Sequence, residues 1–423
     1  MRIARHGLAW LGAALLALVG CYEAHGLGGL APSAPDAGGR ARPDAGAGRD
    51  AGAAPDAGTD AGTRACAFVP VAPWQLTSPP GDQSLHSAAT LRDGFLVAWG
   101  SSNDPPPVPG RFARRVTLHR PNGPAHELFG PARGPFLGGV GLAFGPRGGL
   151  ATVWDGRGCR VRPLGLDGRP SGVEAPLPLD SCSGVHARSD GFGLFDRPGS
   201  GATRLHALGR DGALTHTGPR IPLFDDAFWW AHVALGGDER LLLSMTPGVE
   251  PSGAQAGALA PDGTPSERVA TLPPFGAASR LRAVGTRAGA LVAWLENADG
   301  DPTSQERDVV VFPVDRAGEV LAPPRVVSSG VAYRDAGIAL TAHGESVWLA
   351  YVEVEPGDRG GAAARLVLLG LDGEGALRSR HLLVEAPFVR TPIVRASDEG
   401  VLVAYQAHAE VATQVFVSGL ECL

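Results

Sequence analysis

GFLVAW, at residues 94–99, is an apolar run that begins with glycine and ends with an aromatic residue. Variants of it return along the chain with a mean spacing of about 51 residues, which is typical of repeat architectures. A short apolar run bounded by turn residues is consistent with a buried β-strand. The sequence therefore predicts seven units with one buried strand each. The other six runs are GLATVW (149–154), GFGLF (191–195), ERLLLS (239–244, without the aromatic residue), GALVAW (289–294), SVWLAY (346–351) and GVLVAY (400–405).

Each of these runs has the same neighbours. A shorter apolar strand and a glycine turn such as LRDG (91–94) precede it, and a variable loop and an alternating strand follow. A turn such as LDG (166–168) or PDG (261–263) then leads to a short fourth strand. Four turn-linked strands per unit are the signature of β-propeller blades, although an array of β-sandwiches is an alternative. Because the repeats are short, we predict an all-β fold, a seven-bladed β-propeller of four-stranded blades.

The two ends of the repeat region complement each other. The seventh unit ends at VFVSGLECL (415–423) without a fourth strand, whereas CAFVPVAPWQLTSP (66–79) precedes the first unit as an additional strand. We expect this N-terminal strand to complete the last blade, which would remove an exposed sheet edge. The arrangement resembles the strand exchange of many β-propellers.

Residues 1–21, MRIARHGLAWLGAALLALVGC, have the pattern of an export signal. Arg2 and Arg5 precede an apolar stretch that is too short for a comfortable membrane span. The segment ends in LVGC, which resembles the lipobox of bacterial lipoproteins. This resemblance implies a signal peptide at 1–20, lipidation of Cys21 and a membrane anchor; the alternative is an ordinary signal peptide with a coincidental cysteine. Because Tyr22 follows the cysteine, the resemblance further implies export and anchoring to the outer membrane.

Residues 21–64 comprise the lipidated cysteine and a linker. The linker has too few large apolar side chains to offset the entropy of ordering it, so we predict disorder. It is similar to the spacers of predicted myxobacterial lipoproteins. The globular part is then 65–423. PDAG or DAG recurs at 35–38, 43–46, 50–52, 55–58 and 60–62.

The composition excludes some functions. The net charge is −6, and all 37 basic residues are arginine, so a nucleic-acid partner is not expected. The motifs GxSxG, HExxH, GxxxxGK[ST] and CxxC are all absent. We therefore assign no catalytic residue, predict no cofactor and regard an enzyme as the less favoured class.

The five cysteines fit an exported protein if Cys21 carries the lipid. We expect Cys66 to bond Cys422, in place of the missing turn in the last blade. We expect Cys159 to bond Cys182, because both lie in loops on one face of the predicted propeller. Four free thiols are the alternative, which an oxidising compartment disfavours.

A weak candidate metal site lies in NADGD (297–301). Asn297, Asp299 and Asp301 alternate, and oxygen ligands of this kind suit Ca²⁺. The glycine of an EF-hand loop is missing, and a solvated acidic loop is the alternative.

An aromatic residue precedes the first strand in five units, so these rings would surround one face of the propeller. Exposed aromatic clusters often mark binding surfaces, although recurring rings also wedge neighbouring blades together. Charged residues beside this face are candidates for a channel-mouth site or for structural ion pairs. The aromatic residues are Phe136, Trp229, Phe275, Tyr333 and Phe388, and the charged ones are His86, Arg280, Asp335 and Arg390.

Three functions follow from this sequence. The first is a non-catalytic binding or scaffold module that presents one loop-rich propeller face to a protein or glycan. The alternative is an extracellular polysaccharide hydrolase or lyase with its active site at the channel mouth. The third is a purely structural envelope protein. Variable loops on a rigid scaffold are where function usually lies. The long loops are 100–113, 245–255, 296–307 and 353–364.

Overall fold

The computed structural model describes most of the chain beyond residue 67. The described ranges are 68–77, 82–92, 94–101, 113–119, 124–133, 139–154, 158–196, 203–222, 229–236, 238–246, 253–273, 278–297, 306–333, 336–354, 363–409 and 412–422. Within these ranges no helix has the length and apolar character needed to cross a membrane.

The described residues form an all-β structure. The strands are β1 (Phe68–Gln75), β2 (Gln83–Leu91), β3 (Gly94–Ser101), β4 (Ala113–His119), β5 (Ala125–Arg133), β6 (Val140–Gly145), β7 (Gly148–Trp154), β8 (Cys159–Leu164), β9 (Ala175–Leu177), β10 (Ser183–Ala187), β11 (Phe192–Asp196), β12 (Arg204–Leu208), β13 (Leu214–Arg220), β14 (Trp229–Gly236), β15 (Glu239–Thr246), β16 (Gly253–Leu259), β17 (Pro265–Thr271), β18 (Ser279–Gly285), β19 (Gly289–Asn297), β20 (Glu306–Asp315), β21 (Arg325–Tyr333), β22 (Ile338–His343), β23 (Ser346–Glu353), β24 (Ala364–Asp372), β25 (Leu377–Ala386), β26 (Val389–Ser397), β27 (Gly400–Ala409) and β28 (Ala412–Cys422).

Neighbouring strands in sequence pair antiparallel. The sets β2–β5, β6–β9, β10–β13 and β14–β17 each form a four-stranded sheet. β18 to β25 form an eight-stranded sheet, whose two halves meet where Ala332 of β21 lies opposite Glu353 of β23. In the remaining sheet β26, β27 and β28 are joined by β1, with Phe68 opposite Cys422. The chain's first and last described strands are therefore hydrogen-bonded neighbours.

The repeated apolar runs occupy equivalent strands, namely β3, β7, β11, β15, β19, β23 and β27. These strands are buried along most of their length; in β19 the side chains from Gly289 to Leu295 are all buried. The prediction of one buried strand per unit is thus confirmed for these strands. In β19 alternate residues pack in two different hydrophobic clusters, Val292 and Trp294 in one and Leu291 and Leu295 in the other. Because both faces of the strand are covered, its sequence is apolar rather than alternating.

The third and fourth strands of a set are joined by turns that require glycine. Gly168 has a φ of +79°, and a side chain there would collide with Leu96 of the preceding sheet. Gly212 has a φ of +83°, and its Cβ would lie 2.9 Å from Val161. Because glycine tolerates both the positive φ and the close approach, these turns seat each sheet against its neighbour. The turn after β24 has its left-handed glycine at Gly375, whose φ is +83° and whose N donates to Asp372 O at 3.0 Å.

Hydrophobic clusters lie between neighbouring sheets. Trp294 and Phe312, with ring centroids 4.7 Å apart, belong to a cluster formed by β14–β16 and β18–β20. Another cluster packs Leu85 and Val97 against Val417, so that β2 and β3 contact the sheet containing the chain's last strands. Each fully buried side chain of this size contributes about 1.5–3 kcal/mol.

We call the first strand of each set its inner strand: β2, β6, β10, β14, β18, β22 and β26. Inner strands of neighbouring sets contact one another: β14 contacts β18, β18 contacts β22, and β22 contacts β26. β2 contacts both β6 and β26, which connects the first set with the last. Side chains from distant parts of the sequence therefore meet along the inner strands.

Candidate functional site

A cavity of about 460 Å³ lies where the inner strands end. Its walls come from β2, β6, β10, β14, β15, β22 and β26, and its volume falls in the range of about 300–1,000 Å³ that small-molecule sites occupy. Much of the wall is formed by small or apolar side chains, among them Ala89, Leu142 and Ala143. The lining residues with a charge or an imidazole are Arg92, His186, Arg240, His343, Arg395, Asp398 and Glu399.

Arg395 is one of two deeply buried cations that line the cavity. It lies on β26, its side chain is 6% exposed, and burial lowers its pKa to about 10. Its Nε donates to Ala88 O at 2.8 Å, and its Nη1 donates to Val394 O at 2.6 Å. The guanidinium is therefore still cationic at neutral pH, and it is held by two backbone carbonyls that carry no full charge.

Arg240 lies on β15 and reaches back to the preceding set. Its Nη2 donates to Ala187 O at 2.6 Å, while its buried Nε has no acceptor among the described residues. Burial lowers the pKa of Arg240 to about 10, although the nearby charge of Asp238 acts in the opposite direction. Arg240 thus adds a second buried positive charge to the same cavity.

His186, on β10, is neutral in this environment. Burial lowers its pKa well below the ordinary value, and the charge of Arg240 lowers it further. Its Nδ1 lies 3.3 Å from Gly184 O, so we place the imidazole proton on Nδ1. The ring lies 5.2 Å from that of His232 and 5.6 Å from that of Phe195. His186 therefore lines the cavity without adding to its charge.

The rim of the cavity is more acidic than its interior. His343 Nε2 lies 2.8 Å from Asp398 Oδ1, and both side chains are exposed. Glu399 and Arg92 are also exposed. The buried cations thus lie beneath a rim at which carboxylates and cations are mixed.

The three buried groups of the cavity were not among the residues selected from the sequence. Arg240 occupies the second position of ERLLLS, where the other apolar runs have Phe, Leu, Ala or Val. This single charge within a buried apolar run is the sequence signal by which Arg240 could have been selected. Arg395 and His186 interrupt inner strands in the same way.

The charged residues selected from the sequence lie elsewhere on the inner strands. His86 and Arg280 are both buried. His86 lies at a register shift of β2 and Arg280 at one of β18, where its φ is +62°. Asp335 lies outside the described residues.

The predicted aromatic residues have different surroundings. Tyr333 is half-buried and packs against a cluster formed by β22–β24 and β26–β28, as a wedge would. Phe136, Phe275 and the side chain of Trp229 lie outside the part of the chain that the structure describes.

Phe388 is at the centre of a surface cluster. Its ring lies 4.2 Å from that of His408, and the guanidinium carbon of Arg390 lies 3.9 Å from its centroid. Phe388 is half-buried and Arg390 is exposed. This Phe388–Arg390–His408 cluster lies where β26 begins and β27 ends, at the opposite end of β26 from the cavity.

The acidic loop is only partly described. Asn297 Oδ1 accepts a hydrogen bond from Arg307 Nη1 at 3.2 Å, while Asp299 and Asp301 lie outside the described residues. Among the residues that are described, no group of three or more His, Cys, Asp and Glu could hold a metal ion.

Two predictions concerned disulfides. Cys159 and Cys182 form a disulfide, with Cα atoms 5.7 Å apart, and this prediction is confirmed. It joins the start of β8 to the residue before β10. Cys422 is disulfide-bonded, but its predicted partner Cys66 lies outside the described residues, as does Cys21.

No protein-family model matches the sequence, and no curated protein matches it. Among solved structures, the β-propeller domain of the Trilobed protease from Pyrococcus furiosus is 10% identical, with a TM-score of 0.47 over 79% of this chain and 95% of that one. The Dos1 propeller is 11% identical, with a TM-score of 0.49 over 84% and 95%. The polysaccharide lyase Uly1 is 11% identical, with a TM-score of 0.48 over 82% and 90%. The described part of the chain is all-β, and two of these three structural neighbours are propellers.

Proposed function

We propose that this protein is an exported lipoprotein whose propeller binds a protein or glycan through one loop-rich face, without catalysis. The observation that carries this proposal is the Phe388–Arg390–His408 cluster. It combines a phenylalanine ring with an exposed guanidinium, and Phe and Arg are both enriched in protein interfaces. The cluster lies at the strand ends from which the long variable loops depart.

The propeller is proposed to have seven blades and to be closed by β1. Two halves of the eight-stranded sheet count as separate blades, because they share one pair, Ala332 with Glu353. Closure is supported by the pairing of β1 with β28 and by the packing of β2 against β26. A disulfide from Cys422 to Cys66, two residues before β1, would fasten the same junction.

A glycan array probed with the mature chain tests the binding face. We expect Phe388→Ala and Arg390→Ala each to weaken binding of a retained glycan at least tenfold. Arg365→Ala is the matched control, since Arg365 is also a partly exposed arginine but is ion-paired to Glu385 on the outer strands. Binding that is equal in all four proteins would place the ligand elsewhere and contradict this assignment.

The lipid anchor is tested by metabolic labelling with palmitate. Cys21→Ala should abolish the label and release the protein from the membrane fraction, because no other residue of a lipobox can carry the acyl chains. Continued labelling of the variant would overturn the lipoprotein assignment.

One observation favours the alternative, a polysaccharide hydrolase or lyase. The cavity places the neutral His186 beside the cationic Arg240, and a base next to a cation is an arrangement that acid–base catalysis uses. Release of sugars from uronate-containing polysaccharides, lost in His186→Gln, would establish this function. Unchanged polysaccharide chains would leave binding as the function.

A further inference from the structure

We propose that Thr217 is a nucleophilic hydroxyl that accepts a short-chain acyl group from an activated ester or thioester, with His206 as its general base. Thr217, His206 and Asp196 lie on three neighbouring strands of the sheet β10–β13. The proposed binding face belongs to the sheet that contains β26 and β27, so the two sites are separate. The step is a single covalent transfer, and it is compatible with a binding function that has no turnover.

His206 connects a carboxylate on one neighbouring strand to a hydroxyl on the other. Its Nε2 lies 3.7 Å from Asp196 Oδ2 on β11, and its Nδ1 lies 3.1 Å from Thr217 Oγ1 on β13. Because the carboxylate favours a ring N–H on its own side, we place the imidazole proton on Nε2, so that Nδ1 keeps a lone pair. Thr217 Oγ1 then donates its hydrogen to Nδ1. A general base needs this arrangement in order to remove the hydroxyl proton.

Asp196 is held in the orientation that this role requires. Ser181 N and Ser181 Oγ both donate to Asp196 Oδ1, at 3.1 and 2.8 Å, while Asp196 Oδ2 faces His206. Burial acts to raise the pKa of Asp196, but the interactions with His206 and Ser181 outweigh it, so the pKa lies below its ordinary value. Asp196 is therefore an anion at neutral pH. A buried carboxylate beside an imidazole stabilises the imidazolium that forms when the ring accepts a proton.

The hydroxyl of this group of residues is at the surface, whereas its base and its carboxylate are buried. His206 is 3% exposed and Asp196 is 9% exposed, but Thr217 lies on the outer strand β13 and is exposed. A register shift occurs beside Thr217, because β13 takes three steps to Arg220 where β12 takes two from His206 to Arg204. Such bulges re-aim side chains and are over-represented next to active sites. An acyl donor can thus reach the Thr217 oxygen from solvent.

The chemical step balances without a further reactant. Thr217 Oγ1 forms a bond to the carbonyl carbon of the ester or thioester, while its proton passes to His206 Nδ1. The bond from that carbon to the leaving oxygen or sulfur then breaks, and the leaving group takes the proton from the imidazolium. The products are acyl-Thr217 and an alcohol or thiol.

A positive charge lies next to the reacting hydroxyl. Arg204 Nη1 donates to the carbonyl oxygen of Gly218, the residue after Thr217, at 3.1 Å. Negative charge develops on the carbonyl oxygen of the acyl donor as the new bond forms, and a cation held in place beforehand stabilises it. Arg204 is therefore placed to assist the transfer.

Reaction of the purified full chain with p-nitrophenyl acetate tests the proposal. We expect release of p-nitrophenolate together with a mass gain of one acetyl group, which peptide mass spectrometry locates on Thr217. Thr217→Ala should abolish this acetylation, and Thr217→Ser should retain it because serine keeps the hydroxyl. Thr215→Ala is the matched control and should react like the parent. Thr215 is another exposed threonine of β13, but its hydroxyl donates to Ala207 O rather than to an imidazole.

The rate of acetylation and its pH dependence test the role of His206. His206→Gln should slow acetylation of Thr217 at least about 100-fold, which is the lower end of what a positioned base contributes. In the parent the rate should rise with pH as the imidazole loses its proton, and this dependence should be absent in His206→Gln. Thermal unfolding shows whether this buried variant is folded. Because Thr215 and Thr217 are exposed, the comparison of their variants decides the proposal even if His206→Gln does not fold.

The outcomes are distinct. Acetylation of Thr217 that depends on His206 supports the proposal, whether or not water later hydrolyses the new ester. The proposal would be overturned if Thr217 stayed unmodified, or if Thr217→Ala released p-nitrophenolate as the parent does. A folded His206→Gln variant that reacts at the parent's rate would also overturn it.

Discussion

Replacing both Cys159 and Cys182 with alanine is expected to lower the free energy of unfolding by about 3–4 kcal/mol. The two residues are 23 positions apart, and the chain-entropy relation gives about 3.4 kcal/mol at 25 °C for a closed loop of this length. Urea unfolding under oxidising conditions, followed by tryptophan fluorescence, measures the change. Trp154 is a local probe, because its indole Nε1 donates to Asp180 O, two residues before Cys182.

The single variants distinguish the covalent bond from simple packing. Cys159→Ala and Cys182→Ala each break the same bond, so each should lose nearly as much stability as the double variant. If the two single losses instead add up to the double loss, the effect comes from the buried sulfur atoms. A double-variant loss below about 1 kcal/mol would refute the loop-closure reasoning.

Three other changes have definite expected results. Glu353→Gln should lower the free energy of unfolding by about 1.5–3 kcal/mol in urea titrations, because Glu353 is buried and accepts two hydrogen bonds from Arg380. The control Glu385→Gln, at an exposed ion pair, should lower it by less than about 1 kcal/mol. The pKa of His186 is lowered in the folded state, so its contribution to the free energy of unfolding is present in full above pH 6.5 and is lost as the pH falls from 6.5 toward the folded pKa. In denaturant titrations at a series of pH values, His186→Gln should make the free energy of unfolding less dependent on pH in this range. Trp294→Ala, at a site 1% exposed, should cost about 3–5 kcal/mol by the same assay, and a loss under 1 kcal/mol would contradict its place in the core.

The sequence predicted the parts of the fold that depend on local patterns. A buried strand needs a continuous apolar run, so the run 289–294 identifies β19 without knowledge of its neighbours. The disulfide between Cys159 and Cys182 could be predicted because both residues lie near one another in the repeat.

The cavity could not be predicted in the same way. Arg240 and Arg395 lie in different repeats, and they share a cavity only because the inner strands contact one another in space. Each arginine by itself is an isolated charge in an apolar strand. Nothing in the sequence connects the two positions. Only the three-dimensional arrangement shows that both arginines line the same cavity.

The pairing of β1 with β28 has a consequence for how the protein is made. Phe68 emerges early during translation, but its partner Cys422 follows roughly 350 residues later, which at about 5–20 residues per second takes roughly 20–70 s. During that interval β1 has no partner strand, and its sequence contains two prolines, Pro70 and Pro73, which limit pairing with a wrong edge. Completion of the last sheet is thus a late folding event that waits until β28 is available, and a chain that lacks β28 would retain an open sheet edge at β27.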